Sequence, residues 1–190
     1  DVRVIHLHPS SHAGYYPGAA QLHMKMIVDA ESDAILGAQI VGEEGVDKRI
    51  DVIATAMRAG LSATDLADLE LAYAPQFGSA KDPINFAGFI NDNIARGEKT
   101  VQWHELDERL ASGALLVDVR SPEEFASGAI PGAVNIPLDE LRVRHEEIAD
   151  HDDVIVHCQV GLRGHNAARL LTNLGYDVAN LDGGYLTWTN

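Results

Sequence analysis

Cys158, Gly161 and Arg163, in the run Asp153-Val154-Ile155-Val156-His157-Cys158-Gln159-Val160-Gly161-Leu162-Arg163-Gly164, are the residues whose types and spacing suit chemistry. Cys158 is the only cysteine among 190 residues. A cysteine set at a helix N-terminus beside arginine ionises near neutral pH and becomes a strong, soft nucleophile. The backbone N–H groups of a tight loop over that helix end, with the positive end of its dipole, favour such an anion. Arg163, at the far lip of the loop, offers a guanidinium to a second anionic group carried by a substrate. A lone cysteine after an apolar strand is by itself a small buried hydrophobe. Gly161, Arg163 and the helix behind them turn the reading toward chemistry.

Val154, Ile155 and Val156 form a β-branched apolar run of the buried-strand type, which delivers Cys158 to its end. From Gln159 the chain becomes a loop, and Gly164 opens a helical spacing of Ala167, Ala168, Leu170, Leu171 and Leu174. Further strands are expected over residues 115–120, 134–137 and 178–181, the last closing the sheet. Ser121-Pro122-Glu123-Glu124-Phe125 starts a helix with cap, proline and acidic first turn in place, and residues 138–148 form another. This alternation predicts a small α/β domain with a parallel sheet over residues 101–190. Its site belongs beyond the carboxyl ends of the strands, where Asp118 and Cys158 both fall.

The first half reads as an α+β unit, an antiparallel sheet with helices. Residues 2–7, 22–28 and 34–41 supply three antiparallel strands, the last two joined by the polar loop 29–33. Val46, Ile50, Ile53, Ala54 and Met57 mark one helix face, and Gly60 stops the run. Ser62 is the expected N-cap of a second short helix, and Pro83 opens a third that runs to Gly97. Between these, residues 71–83 read as a linker packing Tyr73 and Phe77 onto the sheet. Residues 12–18, with Tyr15 and Tyr16, read either as core filling or as a surface for a partner. The domain boundary is placed at Gly97-Glu98-Lys99-Thr100, giving domains over residues 1–97 and 101–190; no lysine follows Lys99.

Composition narrows the function classes. A net charge of −15 argues against nucleic acid or an anionic membrane as partner. No apolar run approaches the roughly 20 residues of a membrane span, and no metal site is read. With one cysteine there is no internal disulfide, which fits a cytoplasmic location. The start at Asp1, with no initiator methionine, suggests a piece of something longer.

Residues 101–190 resemble a rhodanese domain. The match runs through Val117-Asp118-Val119-Arg120, Pro122-Glu123-Glu124-Phe125, the stretch Ile130-Pro131-Gly132-Ala133-Val134-Asn135-Ile136-Pro137, His157-Cys158 with Arg163, and Gly183-Gly184 with Trp188. Ala129 stands where the family usually has His. The resemblance implies sulfurtransfer, with Cys158 as persulfide carrier. The amides of Gln159, Val160, Gly161, Leu162, Arg163 and Gly164 would cradle the outer sulfur, and Arg163 and Asp118 would help position loop and substrate. It also implies a small sulfur substrate: thiosulfate, a persulfide or polysulfide, coenzyme A persulfide included. A rhodanese-fold phosphatase is the alternative enzyme class, disfavoured because such relatives have a loop one residue longer. A non-catalytic dimerisation or interaction module is the other alternative.

Residues 1–97 resemble the dimerisation domain of the pyridine nucleotide-disulfide oxidoreductases, and within them the coenzyme A-disulfide reductases that end in a rhodanese domain. The residues responsible are His12-Ala13-Gly14-Tyr15-Tyr16-Pro17, Gly42-Glu43-Glu44-Gly45-Val46-Asp47-Lys48-Arg49, and Leu71-Ala72-Tyr73-Ala74-Pro75 with Ala80-Lys81-Asp82-Pro83. Gln76 and Gly78 depart from the usual Pro and Ser. The resemblance implies a homodimer that offers Tyr15 and Tyr73, with Tyr16 as a weaker candidate, to the partner subunit's active site. FAD and NAD(P)H are expected in the full-length parent. No cofactor is expected in this chain, because no G-x-G-x-x-G fingerprint occurs in it.

Overall fold

In the computed structural model, which describes residues 1–190, the chain divides into two units, Asp1–Glu98 and Lys99–Asn190. In the first, β1 (Val2–Leu7), β2 (His23–Asp29) and β3 (Ile35–Val41) form an antiparallel sheet in that order. Side chains alternate across a strand, so Ile5, Leu7, Met24, Met26 and Val28 share the buried face. The register seals that face by setting Ile5 opposite Met26 and Leu7 opposite Met24.

Helices α1 (Val46–Ala59) and α2 (Pro83–Ala95) bring Ile53, Ala56, Ile84 and Ala87 to the same core. The buried face of α1 differs from the expected one. Arg49, Ile53 and Ala56 point inward, whereas Ala54 and Met57 are exposed. The reason is Arg49, whose guanidinium finds a carboxylate partner inside and so rotates the inward face by one residue. Gly60 caps α1 in the left-handed region (φ 77°), its N–H returning to the carbonyls of Ala56 and Met57. Ser62 and Asp65 exchange hydrogen bonds as a cap, but the element they start is a single 3-10 turn, Thr64–Asp68. Asp82 caps α2, with Pro83 first and Asn85 closing a capping box.

The second unit is a parallel sheet of β4 (Thr100–Val101), β5 (Leu115–Asp118), β6 (Val134–Asn135), β7 (Val154–His157) and β8 (Val178–Leu181), ordered β4-β8-β7-β5-β6. Around it lie α3 (Leu106–Ala111), α4 (Pro122–Ala126), α5 (Leu138–Arg144), α6 (Leu162–Asn173) and α7 (Gly184–Thr189). Every residue of β7 and β8 is buried, as expected of parallel strands covered on both faces. One face packs Val117, Val154 and Val156 with Leu141, Ala167 and Leu171; the other packs Leu116, Ile155 and Leu181 with Val101, Leu106 and Ile130.

Three details differ from expectation. β8 does not close the sheet, because Thr100 and Val101 pair with Asn180 and Leu181 and form the outer strand. A two-residue strand is too short to leave a period in the sequence. The expected helix over 138–148 ends at Arg144 and continues as a 3-10 turn, His145–Ile148. Helix α6 starts at Leu162, two residues before Gly164. No helix is long and apolar enough to cross a membrane.

Candidate active site

β5 and β7 are neighbours, with Asp118 opposite His157, and Cys158 is the next residue beyond the strand end. The chain leaves β5 toward β6 on one side and returns to β7 on the other, so Cys158 lies where the strand order reverses, the usual ligand position of an open parallel sheet. The Cys158 side chain is buried, and its Sγ accepts the N–H of Gly161 at 3.2 Å. Gly161 is the N-cap of α6, a helix of 12 residues, and has φ 102°, a conformation that L side chains rarely adopt. The sulfur therefore rests on the first free amide of a full-length helix. Gln159 and Val160 are half-buried at the loop, Leu162 is exposed, and Gly164 is buried beneath it. A Cβ on Gly164 would meet Asn180 Oδ1 at 2.2 Å, so only glycine lets α6 pack against β8 there.

The loop is held from behind by α7, an element that sequence reasoning misses. The N–H groups of Tyr185 and Leu186 donate to the carbonyls of Cys158 and Gln159 at 2.8 and 2.9 Å. Gly184 permits this approach: with φ 65°, a Cβ there would lie 2.5 Å from the Cys158 carbonyl oxygen. The Gly183-Gly184 pair is the sequence signal of this contact.

Asp118 is wholly buried. Its carboxylate accepts from Arg120 Nε at 3.0 Å and from Nη2 at 2.7 Å. Arg120 then donates to Gln159 Oε1 at 3.0 Å and to the Gly128 carbonyl at 2.7 Å, with its guanidinium over the Tyr185 ring. Asp118 therefore reaches the loop through Arg120, whose other bonds hold Gln159 and Gly128. His157 Nε2 stands 3.6 Å from Asp118 Oδ2, too long for a hydrogen bond. Burial pushes the His157 pKa down against the pull of Asp118, so the ring is neutral at pH 7.

Arg163 is not an open guanidinium. It makes a two-pronged bond to Glu124, Nη1 to Oε2 and Nη2 to Oε1, each 2.7 Å. This bond pulls Glu124 down to about 2 and pushes Arg163 up, with the nearby Cys158 adding to the latter. Glu124 Oε2 also accepts the N–H of Ser121, completing the cap of α4. The pattern Ser121-x-x-Glu124 foretells the cap. Nothing local links Glu124 to a residue 39 positions later.

In the first unit, Tyr15 and Tyr73 come together across 58 residues, with hydroxyl oxygens 2.6 Å apart. Tyr73 is 49% and Phe77 69% exposed, so the linker does not pack its aromatics onto the sheet. Tyr16 stands apart from the pair, edge-on to the buried His12. The loops that carry the tyrosines are pinned by Arg49, which donates to the carbonyls of Ser11 and Gly45 and to Asp82. Sequence reasoning places Arg49 and Asp82 within motifs but gives them no role.

A cysteine at the carboxyl edge of a five-stranded parallel sheet, over the N-terminus of the next helix and backed by a glycine-initiated helix, is the arrangement of a rhodanese-like domain. Residues 102–190 match the model of the rhodanese-like domain, and residues 1–82 match the pyridine nucleotide-disulphide oxidoreductase dimerisation domain. The chain thus joins a dimerisation domain of the pyridine nucleotide-disulphide oxidoreductase type to a rhodanese-like domain. It is similar to the structure of reduced Bacillus anthracis CoADR-RHD, with 50% identity and a TM-score of 0.96 over 99% of this chain and 34% of that one. A NAD-dependent persulfide reductase from A. fulgidus is 36% identical, with a TM-score of 0.88 and the same coverages. A coenzyme A disulfide reductase of Staphylococcus aureus (strain bovine RF122 / ET3-1) is 43% identical over 89 residues, 47% of this chain and 20% of that protein. The chain thus spans about a third of the two solved structures and a fifth of the curated reductase.

Proposed function

We propose that residues 99–190 act as a rhodanese-type sulfurtransferase in which Cys158 carries sulfane sulfur as a persulfide. We further propose that residues 1–98 are the dimerisation part of a reductase of coenzyme A disulfide or of a persulfide. The observation that carries the first reading is the 3.2 Å hydrogen bond from the Gly161 amide to Cys158 Sγ at the start of α6. A donor pre-set at the sulfur stabilises a thiolate before the reaction and a terminal persulfide anion after it.

In the first half-reaction the Cys158 sulfur forms a bond to the sulfane sulfur of the donor. The donor's own bond to that sulfur breaks, and its electron pair leaves with the remainder. In the second half a thiol or cyanide takes the outer sulfur and restores the thiolate. Asp118 and Arg120 hold Gln159, and Glu124 and Arg163 hold the far side of the loop.

Flavin and nicotinamide nucleotide fit the reductase part that the relatives' names indicate, but not the residues of this chain by themselves. Its first unit has a three-stranded antiparallel sheet with no glycine-rich turn between a parallel strand and a helix, and its tyrosine pair is open to solvent. Tyr15 and Tyr73 serve the partner subunit's site within a homodimer in this reading, and Tyr16, packed on His12, is the weaker candidate.

The test is thiosulfate:cyanide transfer run beside hydrolysis of a phosphate ester, with mass analysis of Cys158. Wild-type protein is expected to gain the mass of one sulfur, and Cys158→Ser to lose transfer entirely, because a hydroxyl is not ionised near pH 7. Transfer that survives Cys158→Ser, or phosphate hydrolysis exceeding sulfur transfer, contradicts the reading. Light scattering tests the dimer, which a monomer at all concentrations would overturn.

A further inference from the structure

We infer that Glu124 determines which sulfur donors the Cys158 loop accepts, by cancelling the charge of Arg163 and so disfavouring a doubly charged donor relative to a singly charged one. This rests on the sulfurtransfer reading above. Both arginines that touch the loop are matched by carboxylates: Arg120 by Asp118, and Arg163 by Glu124 in a two-pronged bond. His157 behind the loop is neutral. The Gly161 amide and the end of α6 act on the sulfur undivided, whereas the Arg163 guanidinium beside Cys158 is shared with Glu124, an arrangement that suits one negative charge.

Glu124 stays ionised at any working pH, because its bonds to Arg163 hold it at about 2. The two donor classes then differ in charge. With thiosulfate, the Cys158 thiolate attacks the sulfane sulfur, the S–S bond breaks, and sulfite leaves as a dianion. Three negative charges sit at the site throughout. With an alkanethiosulfonate such as methanethiosulfonate, the same attack expels methanesulfinate and the total is two. A persulfide anion releasing a thiolate has the same total of two. No proton, oxidant or reductant is needed in any case. The carboxylate of Glu124 penalises the dianion more, and Arg163 removes only as much of that penalty as it is free to offset.

The experiment is a charge ladder on the one ion pair, read as the ratio of kcat/KM for thiosulfate to that for methanethiosulfonate. The 124/163 pair is neutral in the wild type, positive in Glu124→Gln, negative in Arg163→Ala and neutral again in the double variant. Gln keeps an oxygen for the Ser121 N–H, so the cap of α4 survives the first change. The ratio is expected to rise about five-fold in Glu124→Gln and to fall about as much in Arg163→Ala, the scale of a half-exposed ion pair. The double variant should return to within about two-fold of wild type, and added salt should compress the ladder. A merely structural role would lower both donors together and leave the ratio flat. If Arg163→Ala does not fold, the Gln arm decides alone. A wild-type Cys158 that takes up no sulfur from either donor overturns the sulfurtransfer reading itself. A loaded Cys158 whose donor ratio ignores Glu124→Gln overturns only the role of Glu124.

Discussion

Each unit buries one arginine–aspartate pair, and the two pairs do similar work by different routes. Arg49 and Asp82 are 33 residues apart, whereas Asp118 and Arg120 are two apart on the same strand end. Arg49 Nη2 meets Asp82 at 2.9 Å and Arg120 Nη2 meets Asp118 at 2.7 Å, with both arginines almost fully buried. Each arginine then reaches loop groups: the Ser11 and Gly45 carbonyls in one case, the Gly128 carbonyl and Gln159 in the other. A buried ion pair adds little net stability over an apolar replacement, but removing one partner leaves an uncompensated charge. Both pairs are therefore best understood as loop clamps. The first depends on the tertiary fold being complete; the second is nearly complete once β5 ends.

The largest effect comes from breaking each clamp in turn. Arg49→Met and Arg120→Met should each cost about 3–5 kcal/mol, the usual penalty for orphaning a buried carboxylate. The consequences should separate. Each unit has its own core, so Arg49→Met should lower the unfolding transition of the first while Cys158 keeps its wild-type alkylation rate. Arg120→Met frees Gln159 and should change that rate at once. Denaturant unfolding monitored by both tyrosine fluorescence and Cys158 alkylation reads the two. Equal changes in Cys158 reactivity from both variants would show that the clamps are not local to their loops.

The same contrast explains what the sequence discloses. Asp118 stands out because it falls at a strand end beside Cys158, and Arg120 lies in the same motif, though sequence reasoning gives it no role. Cys158, Gly161 and the strand before them are legible for the same reason, since strand, loop and helix succeed each other without a break. The partners that escape notice are remote: Asp82 for Arg49, and Glu124 for Arg163. Local capping patterns locate Glu124 and Asp82 at helix starts, yet a cap uses only part of a carboxylate, and the other lone pairs go to residues distant in the chain. The inward face of α1 is misjudged on that account, because an arginine counts as polar until its partner is known. Helix α7 escapes because its six residues show too little period, although Gly183-Gly184 marks its start.

Acid should sharpen the comparison with a smaller effect. At the mouth of the first sheet, His8 Nδ1 lies 2.9 Å from His23 Nδ1. Burial, then His23 and His6, pushes His8 down to about 4 from 6.5. The folded state resists the proton that the unfolded chain accepts, so this stability is complete above pH 6.5 and is lost as pH falls toward 4. In the second unit, His157 is also pushed down and acts in the same direction. The Glu124–Arg163 pair behaves otherwise: its contribution persists to pH 4.5 and fades only as pH approaches 2. His8→Gln should flatten the acid slope of the first unit's transition, a change of about 1 kcal/mol after solvent screening, and leave the second unit's slope unchanged. An unaltered slope in the first unit would assign its acid sensitivity to other groups.

The smallest expected effect contrasts the exposed tyrosines of the first unit with the enclosed Tyr185 of the second. Tyr185 packs against the Arg120 guanidinium, 4.2 Å from its ring centre, and against the Trp188 ring at 5.9 Å. Tyr15 and Tyr73 instead meet only through their hydroxyls, at the surface. The hydrogen bond to Tyr15, more than burial, raises the Tyr73 pKa above its usual 10. With Tyr73 as the donor, its ionisation would remove the proton that the pair shares, so the bond favours the neutral Tyr73 phenol. Tyr15→Phe removes that partner. Ultraviolet titration should then show the Tyr73 phenol ionising nearer 10, with no change in melting temperature at neutral pH, because exposed hydroxyls regain water in place of each other. A Tyr73 titration that does not move in the variant would mean that the two hydroxyls do not meet in solution.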